Sequence, residues 1–528
     1  MYKRRKEFNV AGPCVPGNHY MLDPLRGIGD DLMDLINQGH YFVIHAARQS
    51  GKTTLLKQLT RDINAGSEYY ALYCSLEAMY GWTDPEKTIP EIVRKIENRL
   101  NEEGLPPGFA ENADYGSILG VLKSSLVSYC RSLDRPLVIF FDEADCLSEG
   151  TLIAFLRQIR EGYINRGDVP FVHSIALVGL RNLRDYKTQI RPDSATLGSM
   201  SPFNIVTKAF NLRNFTKEEV VKLYAQHTAE MGQMFEPPAV DYAFEQTQGQ
   251  PWLVNAVARE CVDEISKRDY AVSITRGMAE QAVQNIILAR GTHVDSILDK
   301  LKEPRVCGVI APLIIGEDFP GKRRSDDYQF TKDLGLIRDD RGYTEPANPI
   351  YAELIVRDIN GDIQDAITAM YKEYKIPRYV KDGKIDINYL MRDFQVFWRE
   401  NSEIIWKEHC VEELRQYKET SPHMVLQAFL QRVMNGGGRV IREMAMGKKR
   451  VDLGLEWQGQ RYPIEIKIKQ NIRGHANIID QLLEYMDKSG SDAGWLVIFD
   501  RDTEKSWDEK IYTRDEIVDG KKVTVVGC

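Results

Sequence analysis

The sequence predicts a multidomain α/β protein whose first domain is a parallel sheet built around a phosphate-binding loop. Two observations predict that domain. An apolar strand leads into a glycine-containing loop and a helix over 41–59, and an apolar run at 137–141 ends in two acids. Alternating strands over 451–468, joined by a tight turn, predict a separate α/β domain. With 528 residues the chain is long enough for three or four domains.

Composition indicates an ordinary soluble protein, with 43% hydrophobic and 28% charged residues. No apolar run reaches the roughly 20 residues of a membrane span. The segment MYKRRKEF lacks the apolar stretch of a signal peptide, and the eight cysteines form no C-x-x-C pair. We therefore expect a cytoplasmic protein with reduced thiols and no membrane partner. Since the net charge is −8, any contact with nucleic acid would need a local basic patch.

The phosphate-binding loop is the centre of the first domain. Residues 46–54 read AARQSGKTT, with Ala46 where the usual first glycine stands. Backbone N–H groups of such a loop, with the following helix N-terminus, can cradle a β-phosphate. Lys52 can reach the β- and γ-phosphates, and the Thr53 hydroxyl can hold Mg²⁺. We therefore predict binding of ATP and Mg²⁺. The predicted nucleotide-binding residues are Gln49, Ser50, Gly51, Lys52, Thr53, Thr54 and Asp142. The alternative is an ordinary glycine turn that caps a helix.

The apolar run RPLVIFFDEAD ends in Asp142 and Glu143. Carboxylates at the carboxyl end of a central strand lie where open α/β sheets bind their ligands. The run resembles the Walker B motif of AAA-type ATPases. That resemblance implies that Asp142 holds Mg²⁺ through water and that Glu143 activates the attacking water. The alternative is a strand end with two solvated acids.

The next strand is predicted over 171–180, where such ATPases carry a sensor, although neither Arg181 nor Asn182 stands out. Three arginines are candidate fingers from a neighbouring subunit, and each also has the pattern of a plain surface residue: Arg157, Arg160 and Arg191.

Past the core, Thr216 with Glu219 predicts a capping box that opens a helix. The run Gly249-Gln250-Pro251 opens another helix and resembles the lid of AAA-like and STAND ATPases, where G-x-P sits near the nucleotide. A proline at a helix start explains it equally well. Two helical patterns and a short hairpin over 292–360 predict a winged helix. We favour a packing module over DNA binding there, because the helix DDYQFTKDLGL is not basic.

The hairpin over 451–468 forms a second chemical centre. A two-residue turn at Gln458-Gly459 fixes the register so that Asp452 falls opposite Glu465. Lys467 lies two positions after Glu465 and shares its face. Two carboxylates about 5 Å apart on a sheet are costly unless something neutralises them. A divalent metal can do this and can also generate hydroxide.

This pattern resembles the D-(x)n-E-x-K motif of the PD-(D/E)XK nuclease superfamily. The resemblance implies that Asp452 and Glu465 are metal ligands. It also implies that Lys467 orients or deprotonates the attacking water or stabilises the transition state. Gln481 and Tyr485, on one face of a predicted helix, resemble the Q-x-x-x-Y motif of the RecB-type branch. Gln481 is accordingly a further candidate catalytic residue.

The sequence departs from that superfamily at the helix before the first strand. Gln427 and Gln431 stand where a glutamate is often found. The open alternatives are a two-acid site, substitution by Glu443, or a retained but inactive nuclease fold. Basic residues flank the acidic pair, as phosphate contacts would require, although a solvated charged face would look similar: Lys448, Lys449, Arg450, Lys469 and Arg473.

We interpret the chain as an AAA/STAND-like P-loop ATPase fused to a C-terminal PD-(D/E)XK nuclease fold. The predicted parts are an N-terminal segment at 1–25, the ATPase core at 26–205, a helical lid at 206–291, a winged-helix-like domain at 292–360, a helical connector at 361–420 and the nuclease domain at 421–528. The expected function is ATP-regulated cleavage of nucleic acid, with DNA favoured over RNA and with Mg²⁺ or Mn²⁺ at the nuclease site. The association of such fusions with host defence in prokaryotes implies a similar role here.

Two other functions stay open at the level of sequence. One is a non-enzymatic, ATP-gated STAND-type switch with a protein partner and a nuclease fold that only docks nucleic acid. The other is an ATPase whose main ligand is a peptide or phage protein sensed by residues 206–360. A homo-oligomer and a protein trigger are compatible with each of these functions.

Overall fold

A computed structural model describes residues 5–107, 109, 120–179, 205–289, 299–301, 303–314, 325–340, 343–355, 379–381, 383–404, 421–434, 438–446, 449–468, 475–500, 502 and 504–528. The chain divides into two compact units. The first unit comprises Met1–Gly291, Lys322–Arg338 and Ala347–Tyr351, and the second comprises Thr292–Gly321, Asp339–Pro346 and Ala352–Cys528. The range 292–360, predicted as one winged-helix-like domain, is therefore divided between the two units.

The first unit contains a five-stranded sheet in the order β2-β3-β4-β1-β5, and all its neighbouring strands are parallel. Its strands are β1 Tyr41–His45, β2 Tyr70–Ser75, β3 Leu137–Asp142, β4 Ser174–Gly179 and β5 Val206–Asn211. Because the strands are parallel, their carboxyl ends meet at one edge, where open α/β sheets bind ligands. The predicted parallel-sheet P-loop core is confirmed.

Helices cover both faces of this sheet: α1 Gly29–Asn37, α2 Lys52–Ala65, α3 Pro85–Glu102, α4 Val121–Ser132 and α5 Glu149–Ile164. On one face Phe140 joins an apolar cluster with Leu56 of α2. On the other face Phe141 joins a cluster with Phe155 of α5. Successive strand residues point to opposite faces, so a strand covered on both sides is apolar throughout.

Four helices follow the sheet: α6 Lys217–Met231, α7 Pro237–Thr247, α8 Pro251–Arg259 and α9 Arg276–Ala289. We call this group the lid. The predicted capping box opens α6, since the side chains of Thr216 and Glu219 each accept an N–H from the other residue. The described part of the N-terminal segment packs mainly on the lid. Its Phe8 and Tyr20 rings both contact the ring of His227.

The range 299–355 contains α10 Pro304–Ile314, α11 Asp326–Asp333, β6 Ile337–Asp340 and β7 Tyr343–Pro346. Strands β6 and β7 form a two-stranded sheet. Helix α11 lies in the first unit, whereas α10 lies in the second. Two helices followed by a hairpin are the elements that the sequence predicted in this range.

The second unit contains a six-stranded mixed sheet in the order β10-β11-β12-β13-β15-β14. Its strands are β10 Gly438–Met446, β11 Lys449–Trp457, β12 Gln460–Ile468, β13 Ala493–Phe499, β14 Tyr512–Val518 and β15 Lys521–Gly527. A small hairpin and four helices accompany it: β8 Val380–Lys381, β9 Lys384–Ile385, α12 Ile387–Ile404, α13 Ser421–Met434, α14 His475–Ser489 and α15 Trp507–Lys510. Helices α12 and α13 contribute to an apolar cluster on one face, and α14 contributes to a cluster on the other.

Helix α12 differs from the connector predicted over 361–420. Leu390, Phe394 and Phe397 are fully buried in one apolar cluster with Trp495 of the C-terminal sheet. These residues recur at helical spacing, so they lie on one buried stripe of the helix. The helix is therefore part of the C-terminal core. None of the described helices combines the length and apolar character that a membrane span requires.

Candidate functional site

The phosphate-binding loop turns between β1 and α2 through two residues with left-handed backbone angles. Gln49 has φ 56°, and Gly51, the N-cap of α2, has φ 96°. A non-glycine side chain is strained at such an angle, which accounts for glycine at position 51. Successive N–H groups in turns of this kind form anion-binding concavities next to a helix N-terminus. The backbone therefore has the conformation that phosphate binding requires.

Lys52 lies within this loop, and its side chain is buried. The ammonium donates to the carbonyl oxygens of Ala46 and Ala47, at 2.9 Å each. Burial lowers the pKa of Lys52, and the carboxylate of Glu143 opposes that shift. Both of these hydrogen bonds are to neutral carbonyl groups, so an anion placed at the loop would stabilise the buried ammonium further.

The loop meets the acid-ended strand through Thr53 and Asp142, the two residues predicted to hold Mg²⁺. The Thr53 hydroxyl donates to Asp142 Oδ2 at 2.8 Å, and the Asp142 side chain is buried. The other carboxylate oxygen, Oδ1, accepts the backbone N–H of Glu143 at 3.0 Å. A hydroxyl and a buried carboxylate side by side are the oxygen ligands that Mg²⁺ prefers. These two residues therefore suit the predicted magnesium site.

Glu143 follows Asp142 with a left-handed backbone angle, φ 54°. Sparsely populated angles of this kind tend to persist at functional sites. The pKa of Glu143 is raised, chiefly by burial and next by the charge of Asp145, whereas the Lys52 ammonium lowers it. Asp145 lies against Gly179 at the end of β4, where a Cβ would approach Asp145 Oδ1 to 2.5 Å. The carboxylate predicted to act on water is thus close to both the loop lysine and a second acid.

Three contacts at this site were missed by sequence reasoning. Tyr73 of β2 donates its hydroxyl to Asp142 Oδ2 at 3.0 Å. The backbone N–H of Cys14 donates to the Thr54 hydroxyl at 3.0 Å. Gly335, just after α11, is so close to the loop that a Cβ there would lie 2.5 Å from the Cβ of Ala47. Of these three contacts, only that of Tyr73 could have been sought in the sequence, because the tyrosine lies in a largely apolar run, YALYC, near the carboxyl end of β2.

The Gly249-Gln250-Pro251 run is fully accounted for by the start of α8. Gly249 has φ 71°, and a Cβ there would come within 1.9 Å of the Phe215 carbonyl oxygen. The Gln250 side chain caps α8 by accepting the Leu253 N–H at 2.6 Å. A role of the Gly249-Gln250-Pro251 run near a nucleotide stays a prediction. Of the candidate fingers, Arg157 is exposed and Arg160 half-buried. Arg191, like Arg181 and Asn182, lies outside the described residues.

The C-terminal hairpin has the predicted register. Gln458 and Gly459 both have positive φ, and the strands pair Trp457 with Gln460 and Leu453 with Ile464. Leu453 and Ile464 enter the apolar cluster on the α12 and α13 side. The next position along β11 is Asp452, and the next along β12 is Glu465. The described backbone therefore agrees with the expected placement of the two acids.

Glu465 and Lys467 come together on the opposite face. The Lys467 ammonium lies 2.6 Å from Glu465 Oε1, and the Glu465 side chain is fully buried. Glu465 pairs with Leu496 and Lys467 with Ile498, and both partners belong to the apolar cluster with α14. A buried carboxylate requires compensation, which the lysine supplies here.

The remaining predicted residues of this centre are only partly described. The side chains of Asp452, Gln481 and Glu443 lie outside the described set, as do those of the flanking basic residues. Tyr485 of α14 is buried, and burial raises its pKa to about 12. Gln427 and Gln431 of α13 are both buried. Among the side chains that the structure describes, no group of three or more His, Cys, Asp or Glu residues is arranged to hold a metal ion.

Comparisons with known proteins add the following. Residues 395–503 match a family described as a domain of unknown function, DUF8371. A comparison with curated proteins finds no match. A solved Walker-type ATPase of Pyrococcus abyssi is similar at 13% identity and a TM-score of 0.48, over 66% of this chain and 99% of that one.

Two further solved structures have lower scores. The Orc1 protein of Aeropyrum pernix, in complex with DNA, has 14% identity and a TM-score of 0.35, over 64% of this chain and 93% of that one. A variant of RuvB from Thermotoga maritima has 13% identity and a TM-score of 0.34, over 62% and 93%. At these scores the likenesses say nothing about the ligands of this chain.

Proposed function

We propose that the first unit binds and hydrolyses ATP with Mg²⁺. The hydrogen bond between Thr53 and Asp142 carries this proposal, because it joins the phosphate-binding loop to the acid-ended strand at 2.8 Å. A glycine turn that only caps a helix does not require a buried carboxylate beside it. The positive φ angles of the loop and the buried ammonium of Lys52 support the same function.

The proposed roles follow from the chemistry of each group. Lys52 exchanges the carbonyl oxygens of its own loop for phosphate oxygens and offsets their charge. Thr53 and Asp142 hold Mg²⁺, which supplies charge stabilisation to the phosphates. Glu143 orients and accepts a proton from the attacking water. Gln49, Ser50, Gly51 and Thr54 complete the cradle with backbone N–H groups.

Two variants test this function. Lys52→Ala should abolish detectable ATP hydrolysis and weaken nucleotide binding, since a charge opposite the phosphates is removed. Glu143→Gln should retain binding and stop hydrolysis, since the acid acts on water. Lys87→Ala, at an exposed lysine on α3, is the matched control and should behave like wild type. Wild-type turnover in Glu143→Gln would place the base elsewhere, and unchanged ATP affinity in Lys52→Ala would overturn the proposed site.

We further propose that the C-terminal domain is a metal-dependent nuclease that cleaves DNA. The observation that supports it is a fully buried carboxylate, Glu465, which contacts Lys467. Glu465 and Asp452 each lie one position beyond the paired residues Ile464 and Leu453, on the two strands of the hairpin. Buried charges are expensive and are retained chiefly where they are used. In this proposal Asp452 and Glu465 hold Mg²⁺ or Mn²⁺, Lys467 acts on the attacking water, and Gln481 adds hydrogen bonds at the edge of the site.

Incubation with plasmid, linear DNA and RNA tests this activity, with and without Mg²⁺, Mn²⁺ and ATP. Glu465→Gln should remove cleavage, because it keeps the shape of the side chain and loses its charge. Glu456→Gln, on the same hairpin and paired at 3.9 Å with Arg461, is the matched control and should cleave normally. Cleavage that persists in Glu465→Gln would rule out this site as its source.

One observation favours an ATP-gated switch as a second candidate function. Gly335 contacts Ala47 of the phosphate-binding loop, and the nearby Arg338 guanidinium donates to the Gln248 side chain of the lid. A segment that touches both loop and lid is placed to respond when nucleotide binds. In this case the C-terminal domain would dock nucleic acid without cleaving it. The same incubation distinguishes the two functions, since a switch would bind DNA in the presence of metal and leave it intact.

A further inference from the structure

Tyr73 lies at the carboxyl end of β2, beside the acid-ended strand. Its hydroxyl donates to Asp142 Oδ2 at 3.0 Å, the same oxygen that accepts the Thr53 hydroxyl at 2.8 Å. Asp142 Oδ1 accepts the Glu143 N–H. Three donors from three segments of the chain therefore fix the rotation of one buried carboxylate.

We propose that Tyr73 is a positioning residue for the magnesium site, acting through Asp142. This inference rests on the proposed ATPase function and goes beyond it, because no motif assigns a role to this tyrosine. The Thr53 hydroxyl can bind a cation through its oxygen and still donate its proton to Asp142. The phenol supplies a second donor to the same oxygen, so the carboxylate keeps its orientation when the metal arrives.

The tyrosine is itself firmly held. Its side chain is 8% exposed, and its backbone carbonyl accepts the Arg99 guanidinium Nε–H at 3.2 Å. The ammonium of Lys57, one turn after Thr53 on α2, lies 5.4 Å from the ring centroid, within reach of a cation–π contact. A rigid donor is suited to orienting a carboxylate.

If Tyr73 positions Asp142 for the metal, its hydroxyl affects the Mg²⁺ dependence of nucleotide binding, which a purely structural role would leave unchanged. Tyr73→Phe keeps the ring and its packing and removes only the hydroxyl. We expect nucleotide affinity in EDTA to match wild type. The Mg²⁺ concentration for half-maximal tightening of nucleotide binding should rise by at least about 10-fold, as the loss of one hydrogen bond to a charged group implies.

The experiment is a titration of a fluorescent ATP analogue in EDTA and across a Mg²⁺ series, with thermal melts to confirm folding. Tyr41→Phe is the matched control, because its buried hydroxyl donates to the Val172 carbonyl oxygen at 2.7 Å and does not reach Asp142. It should show the wild-type Mg²⁺ dependence. An unchanged dependence in Tyr73→Phe, or an equal loss of affinity in EDTA and Mg²⁺, overturns the inference. Failure of the wild type to bind the analogue overturns the proposed ATPase function, and this inference with it.

Discussion

The Lys467 ammonium lies 2.6 Å from Oε1 of Glu465, a carboxylate that the C-terminal domain buries completely. The sequence suggested that a divalent metal neutralises the acids of the hairpin. In the structure, the charge of one of these acids, Glu465, is already balanced by the ammonium of Lys467. A metal at this site would therefore bind beside an existing ion pair, in which Lys467 is partly exposed.

We predict that Glu465→Ala destabilises the C-terminal domain and removes its metal response. Loss of the carboxylate removes its ion pair with Lys467, at a cost of about 1–3 kcal/mol once the partial exposure of the lysine is considered. Thermal melts against Mg²⁺ or Mn²⁺, without nucleotide, measure both effects, because metal bound to the native state raises the melting temperature. Glu456→Ala is the control and should change stability by less than about 1 kcal/mol. A metal response that survives Glu465→Ala would count against the nuclease assignment.

Local chemistry made part of this structure predictable. The turn Gln458-Gly459 fixed the register of the hairpin, because a two-residue turn leaves one pairing for the strands that it joins. The apolar run that ends in Asp142 was equally informative, since only a strand covered on both faces is apolar throughout. The proximity of Thr53 to Asp142 agrees with a parallel sheet whose carboxyl ends all meet at one edge, although β4 lies between β1 and β3.

Contacts between distant segments could not be predicted in this way. The bond from Cys14 to Thr54 and the approach of Gly335 to Ala47 depend on how whole segments lie against the loop, and no periodic pattern encodes them. A helical connector was predicted where α12 lies, but its burial in the C-terminal core was missed for another reason. Its buried stripe was present in the sequence, but the polar residues around it dominate the composition of 361–420.

We predict that the interactions of Glu219 make the stability of the fold depend on pH. Its hydrogen bonds to Arg213, at 2.7 Å each, and to the Thr216 N–H lower its pKa to about 2. A lowered folded-state pKa stabilises the fold above the unfolded value, near 4.5, and this stabilisation is lost as the pH falls towards 2. Glu219→Gln should therefore cost about 1–2 kcal/mol near pH 7, after allowance for solvent screening.

Chemical unfolding at pH 7, 5 and 4 measures this difference, which should be constant above about pH 5.5 and shrink below about pH 4.5. Glu280→Gln is the control, since its partner Arg276 lies 3.0 Å away on the exposed surface of α9. Glu280→Gln should change the free energy of unfolding only slightly at all three pH values. A difference for Glu219→Gln that grows as the pH falls would contradict the sign of the shift.

Gly335→Ala should disturb the nucleotide site from outside the sheet. The backbone there has φ 75°, which costs a non-glycine residue about 1 kcal/mol, and the new methyl group would lie 2.5 Å from the Cβ of Ala47. We expect ATP affinity to change, because the loop or the turn must shift. Gly232→Ala is the matched control, with φ 78° and no atom within 4 Å. Gly232→Ala should lose a similar amount of stability through its backbone and keep the wild-type affinity for ATP. If Gly335→Ala and Gly232→Ala bind ATP equally well, the observation that favours the switch loses its support.

Finally, we predict that nucleotide controls cleavage. An unregulated nuclease would attack the genome of its own cell, which gives a reason to fuse the two centres. Coupling between sites typically amounts to about 1–3 kcal/mol, so cleavage rates with ATP, a non-hydrolysable analogue and no nucleotide should differ several-fold. Lys52→Ala should show one rate under all three conditions, because it cannot respond to nucleotide. If the wild type also cleaves at one rate, the ATPase serves another purpose, such as assembly or the sensing of a protein partner.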